Sequence, residues 1–157
     1  MRLLQATTAD EIDLARELFL EYGTWLEFDL CFQNFEQELA ELPGKYEPPS
    51  GRLFLAYADD DQLAGCIALR KLDTDCGEMK RLFIRPEFRQ HGLGRVLIER
   101  LIDEAKRIGY KRMRLDTLPG KMDSAIRLYE RFGFRDVAPY YDSPVQGTRY
   151  LELELRA

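Results

Sequence analysis

The segment from Glu78 to Ile108 joins an apolar strand to a long amphipathic helix through a short loop that contains Gly92 and Gly94. Glycine lets the backbone approach a ligand closely and adopt turns that other residues resist. The first amides of a helix have no partner within the helix, and they carry the positive end of its dipole. The segment therefore predicts a strand, loop and helix unit whose loop can hold a pyrophosphate.

The two glycines also fit a loop in which they only permit a turn, and a G-x-G pair by itself does not separate these readings. A Rossmann dinucleotide site needs a third glycine where this chain has Leu97. A Walker loop needs the sequence G-x-x-x-x-G-K-[ST], which the chain lacks. The loop is thus expected to belong to a phosphate site of another kind.

Hydrophobic periodicity predicts helices and strands that alternate along the whole chain. A glycine at a helix end, as at Gly109 and Gly133, marks where two of the helices stop. This alternation predicts a single α/β domain, residues 1–157, with helices on both faces of a mixed sheet. The predicted helices cover about 9–22, 34–42, 94–108 and 125–132, and the predicted strands cover 53–58, 63–69, 78–84, 113–115, 134–137 and 148–155.

Composition excludes several classes of function. Cys31, Cys66, Cys76 and the single histidine, His91, do not assemble a zinc site of the usual ligand types, so no metal is expected. A formal charge of −5 argues against binding to a nucleic-acid backbone. The sparse cysteines favour a reducing compartment, and acidic residues in the first 25 positions argue against a signal peptide or membrane span. A cytoplasmic location is expected.

Two motifs carry a resemblance to a known family. The loop resembles motif A of the GNAT superfamily of acyl-CoA-dependent N-acyltransferases, since Arg89, Gly92 and Gly94 match its [QR]-x-x-G-x-[GA] pattern. The segment from Ala125 to Phe134 resembles the family's later A-x-x-x-Y-x-x-x-G-F element. The resemblance spans about residues 52–155. It implies a GNAT-like fold, with a mostly antiparallel sheet in which the parallel strands 78–84 and 113–115 splay apart to admit acetyl-CoA.

The resemblance also implies which residues hold acetyl-CoA. Backbone groups of Leu82 and Ile84 would bond the acetyl carbonyl and the pantetheine arm, and amides from Gln90 to Arg95 would hold the pyrophosphate. An asparagine common in the family is Met122 here, so its amide contact to the cofactor arm is not supplied at that position. The predicted cofactor-binding residues are Leu82, Phe83, Ile84, Arg89, Gln90, His91, Gly92, Leu93, Gly94 and Arg95. Lys80, Arg81, Arg85, Arg89 and Arg95 are expected to surround the polyanionic cofactor.

Acetyl transfer to an amine requires a group that takes a proton from the ammonium and a group that protonates the departing thiolate. The resemblance places Tyr129 near the CoA sulfur, so Tyr129 is the predicted acid; the alternative is a tyrosine that only packs in the core. Glu78 stands where some family members carry a glutamate base, and its alternative is a solvent-facing strand end. Asp116 is a weaker candidate for the base, and His91 is expected to be a loop residue.

The acceptor amine is expected near the first two helices, where carboxylates and aromatic rings suit a cation. The residues concerned are Glu21, Trp25, Glu27, Phe28 and Asp29, faced by Tyr140 and Tyr141. The leading hypothesis is an acetyl-CoA-dependent N-acetyltransferase that acts on a small-molecule amine by direct attack in a ternary complex. The alternatives are acetylation of protein lysines or N-termini, and a noncatalytic acyl-CoA-binding module. Exposed tyrosines, including Tyr150, fit either the interface of a homodimer or the finish of the sheet.

Overall fold

The computed structural model describes residues 1–26 and 34–156, which build one seven-stranded sheet with helices on both faces. The strand order is β1-β2-β3-β4-β5-β7-β6, and all neighbours are antiparallel except β4 and β5. The strands are β1 (Arg2–Gln5), β2 (Arg52–Tyr57), β3 (Leu63–Asp73), β4 (Cys76–Ile84), β5 (Arg112–Thr117), β6 (Arg135–Asp136) and β7 (Arg149–Glu154). The helices are α1 (Ala9–Leu26), α2 (Phe35–Glu41), α3 (Leu93–Ile108) and α4 (Asp123–Phe132), with 3₁₀ turns at Gly44–Tyr46 and Pro86–Phe88. The predicted fold class is confirmed.

The two faces of the sheet carry separate apolar cores because side chains alternate along each strand. On β2, Phe54 packs with Leu97 and Leu101 of α3, whereas its neighbours Leu53 and Leu55 pack with α1. The α3 side also includes Met113 and Leu115 of β5 and Tyr129 of α4, and the α1 side includes Leu18, Phe19 and Cys66. Helices α3 and α4 therefore cover one face, and α1 and α2 cover the other.

Strand β1 and the end of helix α1 differ from the predictions. The edge strand β1 was missed, because four residues that gain order only by pairing with β2 leave little periodicity to detect. Helix α1 begins after Thr8, where the Glu11 amide donates to Thr8 Oγ1 and the Glu11 carboxylate accepts from the Thr8 amide. It runs on to Leu26 rather than ending at Tyr22. No helix among the described residues is long and apolar enough to span a membrane.

Strands β4 and β5 separate after a short parallel ladder, as the resemblance implied. Their register joins Cys76 with Arg112, Gly77 with Met113 and Glu78 with Arg114. Both strands continue past this point, β4 to Ile84 and β5 to Thr117, without further pairing to each other. The result is a gap in the middle of the sheet.

A β-bulge in β4 faces this gap. Between the pairs Ala68–Lys80 and Cys66–Phe83, β4 contains one residue more than β3, and Arg81 has the left-handed value φ 61°. An extra residue reverses the faces that follow it. Met79 thus packs on the α3 side and Phe83, four residues later, packs on the α1 side.

Candidate active site

A cavity of about 590 Å³ occupies the gap between β4 and β5. Its wall combines Tyr22 and Trp25, from the helix on one face of the sheet, with Gly94 and Tyr129, from the helices on the other face. Strand residues from Met79 to Ile84 and from Leu115 to Thr117 form the wall between them. The cavity therefore crosses the sheet from one face to the other.

The glycine loop presents backbone amides to this cavity. Gly92 caps α3 with φ 81°, and its carbonyl accepts the Val96 amide as the first bond of the helix. The three amides that precede Val96 in the helix have no acceptor within the helix, so they are available to an anion. Every predicted cofactor-binding residue lines the cavity except His91, which is exposed in the loop.

The cavity wall is strongly basic. Among the described residues that line it, Asp116 is the acidic one, and the basic ones are Lys80, Arg81, Arg89, Arg95, Lys121, Arg127 and Arg131. Sequence reasoning missed Arg127 and Arg131, although their four-residue spacing on α4 puts both on one helix face. Such a wall attracts a polyanion.

Three of the cations expected around the cofactor are paired with carboxylates of the protein. Arg81 is buried and makes paired hydrogen bonds of 2.9 Å to both carboxylate oxygens of Glu38. Arg85 pairs with Glu21, at 2.7 and 3.0 Å, and does not line the cavity. Lys80 Nζ lies 3.8 Å from Asp116 Oδ1. The sequence does not reveal these neutralising partners, because they come from distant elements.

Tyr129 belongs both to the apolar core and to the cavity wall. Its side chain packs in the α3-side core against Phe134, with ring centroids 5.6 Å apart, and it also lines the cavity. Burial raises the pKa of its phenol far above the ordinary value. Tyr129 is therefore a protonated donor at neutral pH.

Glu78 is enclosed by the protein. It is 1% exposed, so the reading of it as a solvent-facing strand end is wrong, and β4 begins two residues earlier, at Cys76. Its Oε1 accepts from Arg70 Nε at 2.8 Å, and its Oε2 accepts from the Tyr140 hydroxyl at 2.7 Å. It does not line the cavity. Its predicted role as the base stays a prediction.

Asp116 lies at the end of β5, past the last residue that pairs with β4. Its side chain is 15% exposed and lines the cavity. It shares the α1 side of the sheet with Lys80, and the Tyr141 hydroxyl donates to its Oδ2. Burial lowers the pKa of the Lys80 ammonium, while the Asp116 carboxylate opposes that shift.

Comparison with known proteins identifies this arrangement. Residues 12–134 match the profile of the acetyltransferase (GNAT) family. The chain belongs to the GNAT family. An uncharacterised N-acetyltransferase of Schizosaccharomyces pombe is 39% identical over 143 residues, which cover 90% of this chain and 85% of the relative.

Solved GNAT structures share the fold of this chain, and one of them contains acetyl-CoA. An acetyltransferase of the GNAT family from Staphylococcus aureus has the same fold, with a TM-score of 0.80 and 20% identity over 99% of both chains. A GNAT acetyltransferase from Elizabethkingia anophelis, solved with acetyl-CoA bound, has a TM-score of 0.57 and 27% identity over 68% of this chain and 77% of its own. This GNAT chain is an acetyl-CoA-dependent acetyltransferase, and its open sheet, unpaired amides and basic wall fit that ligand.

The α1 side of this GNAT cavity is bordered by Trp25. Arg89 packs against this ring: its guanidinium carbon lies 4.9 Å from the Trp25 ring centroid, and its Nε donates to the Ile84 carbonyl at 2.8 Å. Lys121 Nζ also lies 4.9 Å from the Trp25 ring. The predicted acceptor residues Glu27, Phe28 and Asp29 lie outside the described residues.

The tyrosines predicted to be exposed pack against one another. The rings of Tyr140, Tyr141 and Tyr150 lie with centroids 5.3 to 5.6 Å apart, and Tyr150 is buried. The expectation that Tyr150 is exposed is therefore wrong. At the position of the family's asparagine, Met122 Sδ accepts from the Thr117 hydroxyl at 3.3 Å, a contact within the protein.

Proposed function

We propose that this acetyltransferase transfers the acetyl group from acetyl-CoA to a primary amine of a small molecule, by direct attack in a ternary complex. The proposal is carried by one observation: the cavity at the β4–β5 gap continues from one face of the sheet to the other. The basic wall and the α3 amides suit a polyanion on one side. Tyr22 and Trp25 form the aromatic wall on the other side, where the amine is proposed to lie.

Direct attack is supported by the residues of the wall. Cys66 and Cys76 are buried and do not line the cavity, so among the described residues the wall has no thiol that could carry the acetyl group. Reactants held side by side in one cavity gain the advantage of proximity without a covalent enzyme intermediate.

The residues divide into groups that bind and groups that move protons. Bound acetyl-CoA supplies an acetyl thioester. Backbone groups at the bulge, around Leu82 and Ile84, would orient the acetyl end, and the amides of the glycine loop would hold the pyrophosphate. The Tyr129 phenol would give its proton to the departing sulfur. Because burial raises its pKa, the phenol carries its proton at neutral pH.

The base predicted from the sequence is Glu78. For Glu78 to take a proton from the amine, it would have to give up its bond to Tyr140 or use a water molecule that reaches it from the cavity. Both requirements follow from its 1% exposure and its two occupied oxygens. We retain Glu78 as a variant to be measured. A cytoplasmic location is also proposed, because Cys66 and Cys76 are free thiols.

A turnover screen tests the proposal. Purified protein, acetyl-CoA and a panel of amines, amino acids, polyamines and peptides are mixed, and release of the CoA thiol is followed. Turnover with a small amine, with the acetylated product identified by mass spectrometry, is the expected result. Turnover with peptides alone would transfer the proposal to protein acetylation. Tight acetyl-CoA binding without any turnover would favour a noncatalytic module.

A further inference from the structure

A cluster on the α1 side of the β4–β5 gap consists of Asp116, Lys80 and Tyr141. None of the three is among the predicted cofactor-binding residues. Asp116 lies two residues past Arg114, the last residue of β5 that pairs with β4. Met113 and Leu115 point into the α3-side core, so Asp116 points to the opposite face. The cluster therefore borders the half of the cavity proposed for the amine.

The carboxylate of Asp116 has two partners in the protein and can accept further hydrogen bonds. Lys80 Nζ is 3.8 Å from Oδ1, and the Tyr141 hydroxyl donates to Oδ2. A carboxylate offers about four acceptor positions on its two oxygens. One ion pair and one hydrogen bond leave positions for an ammonium, and Asp116 is 15% exposed in the cavity wall.

Asp116 and Glu78 differ in their access to the amine. Glu78 is 1% exposed and does not line the cavity, so an amine in the cavity does not reach its carboxylate directly. Asp116 lines the cavity that also contains Tyr129. Since Tyr129 belongs to the α3-side core, these two groups approach the cavity from opposite faces of the sheet. This is the arrangement needed to remove a proton from one reactant and deliver one to the other.

We propose that Asp116 is the catalytic base that takes the proton from the acceptor's ammonium, with Lys80 and Tyr141 as positioning residues. The inference rests on the proposed function. Asp116 takes one proton, the nitrogen bonds to the acetyl carbon as the carbon–sulfur bond breaks, and Tyr129 gives its proton to the sulfur. The second proton that the nitrogen loses restores the Tyr129 phenol, and the proton on Asp116 passes to solvent.

Several titratable groups surround Asp116, and they define the setting of any pH profile. They come from every element packed against it: Tyr22 of α1, Lys80 of β4, Tyr129 of α4, Tyr140 and Tyr141 of the segment before β7, and Tyr150 of β7. Burial raises the pKa of each of these tyrosines. Between pH 5 and 8 these tyrosines therefore stay neutral and add no limb to a pH profile.

The test compares Asp116→Asn with Asp103→Asn, which makes the same chemical change at an exposed position on α3. With the amine found in the turnover screen, Asp116→Asn is expected to lower kcat by about 10²–10⁴-fold. Asp103→Asn is expected to match the wild type. Acetyl-CoA binding, measured by calorimetry, is expected to be equal in all three proteins, which shows that the variant is folded.

A second acceptor separates proton removal from a structural role. Hydroxylamine is neutral at pH 7 and needs no base to remove a proton before it attacks, so Asp116→Asn is expected to use it at a rate close to that of the wild type. Equal loss with both acceptors, or an unchanged rate with the alkyl amine, would overturn the inference. So would a Glu78→Gln variant that alone loses turnover with the alkyl amine and keeps turnover with hydroxylamine. If Asp116→Asn does not bind acetyl-CoA, Asp116→Glu replaces it and is expected to keep the wild-type ratio of the two turnover rates, because it keeps a carboxylate; a lower ratio for the alkyl amine overturns the inference. Absence of wild-type turnover overturns the proposed function as well, so the two failures are distinguishable.

Discussion

Gly92 offers a direct test of the loop that is proposed to hold the pyrophosphate. It caps α3 with φ 81°, and a Cβ built on it meets no atom within 4 Å. Gly92→Ala therefore changes backbone strain without a clash. A left-handed conformation costs a non-glycine residue about 1–2 kcal/mol. Reduced freedom of the unfolded chain returns about 0.4–1 kcal/mol of this.

The remaining strain of about 1 kcal/mol can be expressed in two ways. If the loop keeps its shape, the melting temperature falls by about 2–4 °C for a domain of this size. If the loop relaxes, the amides at the start of α3 turn away from the cavity, and turning them back for binding costs the full strain of about 1–2 kcal/mol, because the unfolded chain plays no part in binding. The acetyl-CoA dissociation constant then rises by about 5–30-fold. Thermal unfolding and calorimetry on the same preparation measure both effects.

Gly109, at the other end of α3, provides the matched control. It has φ 107°, and its Cβ also meets nothing within 4 Å, but it lies outside the cavity wall. Gly109→Ala should show the loss of melting temperature and unchanged acetyl-CoA binding. Wild-type stability and affinity in Gly92→Ala would refute the reasoning. Equal loss of affinity in both variants would show that binding responds to general stability rather than to the loop.

Three further predictions concern single side chains. Tyr129→Phe is expected to lower kcat by about 10²–10⁴-fold while the acetyl-CoA dissociation constant measured by calorimetry stays the same; an unchanged kcat removes Tyr129 from the acid role. Glu38→Ala leaves the guanidinium of Arg81 buried without this carboxylate and should cost about 3 kcal/mol or more of unfolding free energy in urea, whereas the exposed Glu36→Ala on the same helix should cost much less. Burial raises the pKa of the Cys76 thiol to about 11, so iodoacetamide should leave Cys76 unlabelled in the native protein at pH 8 and label it in urea, as read by peptide mass spectrometry.

The parts of the site that were predictable from sequence depend on local chemistry. Gly92 and Gly133 have positive φ, 81° and 102°, and each lies at an end of a helix, as their glycine character indicates. Tyr129 lies in the cavity wall, and the helical repeat places it on the buried face of α4 together with Ile126. These features need only neighbours within a few residues, so a sequence pattern can express them.

Other parts of the site depend on contacts between distant residues. Arg81 adopts the left-handed conformation, which the residues next to it in the sequence do not predict. Its guanidinium donates to Glu38, 43 residues away. The solvent-facing strand end stayed open as the alternative for Glu78 because its partner Tyr140 is 62 residues away. Pairing, rather than propensity, sets such environments, so a single sequence carries little sign of them.

The short ladder between β4 and β5 has a mechanical consequence. Among the described residues, three pairs connect the four strands on one side of the sheet with the three on the other. Apolar packing of α3 against both halves, including Met113 and Leu115, carries the rest of the connection. A ligand in the gap adds bonds across a seam that the backbone leaves open. Acetyl-CoA should therefore slow amide hydrogen exchange in β5 and β7 more than in the distant pair β1 and β2.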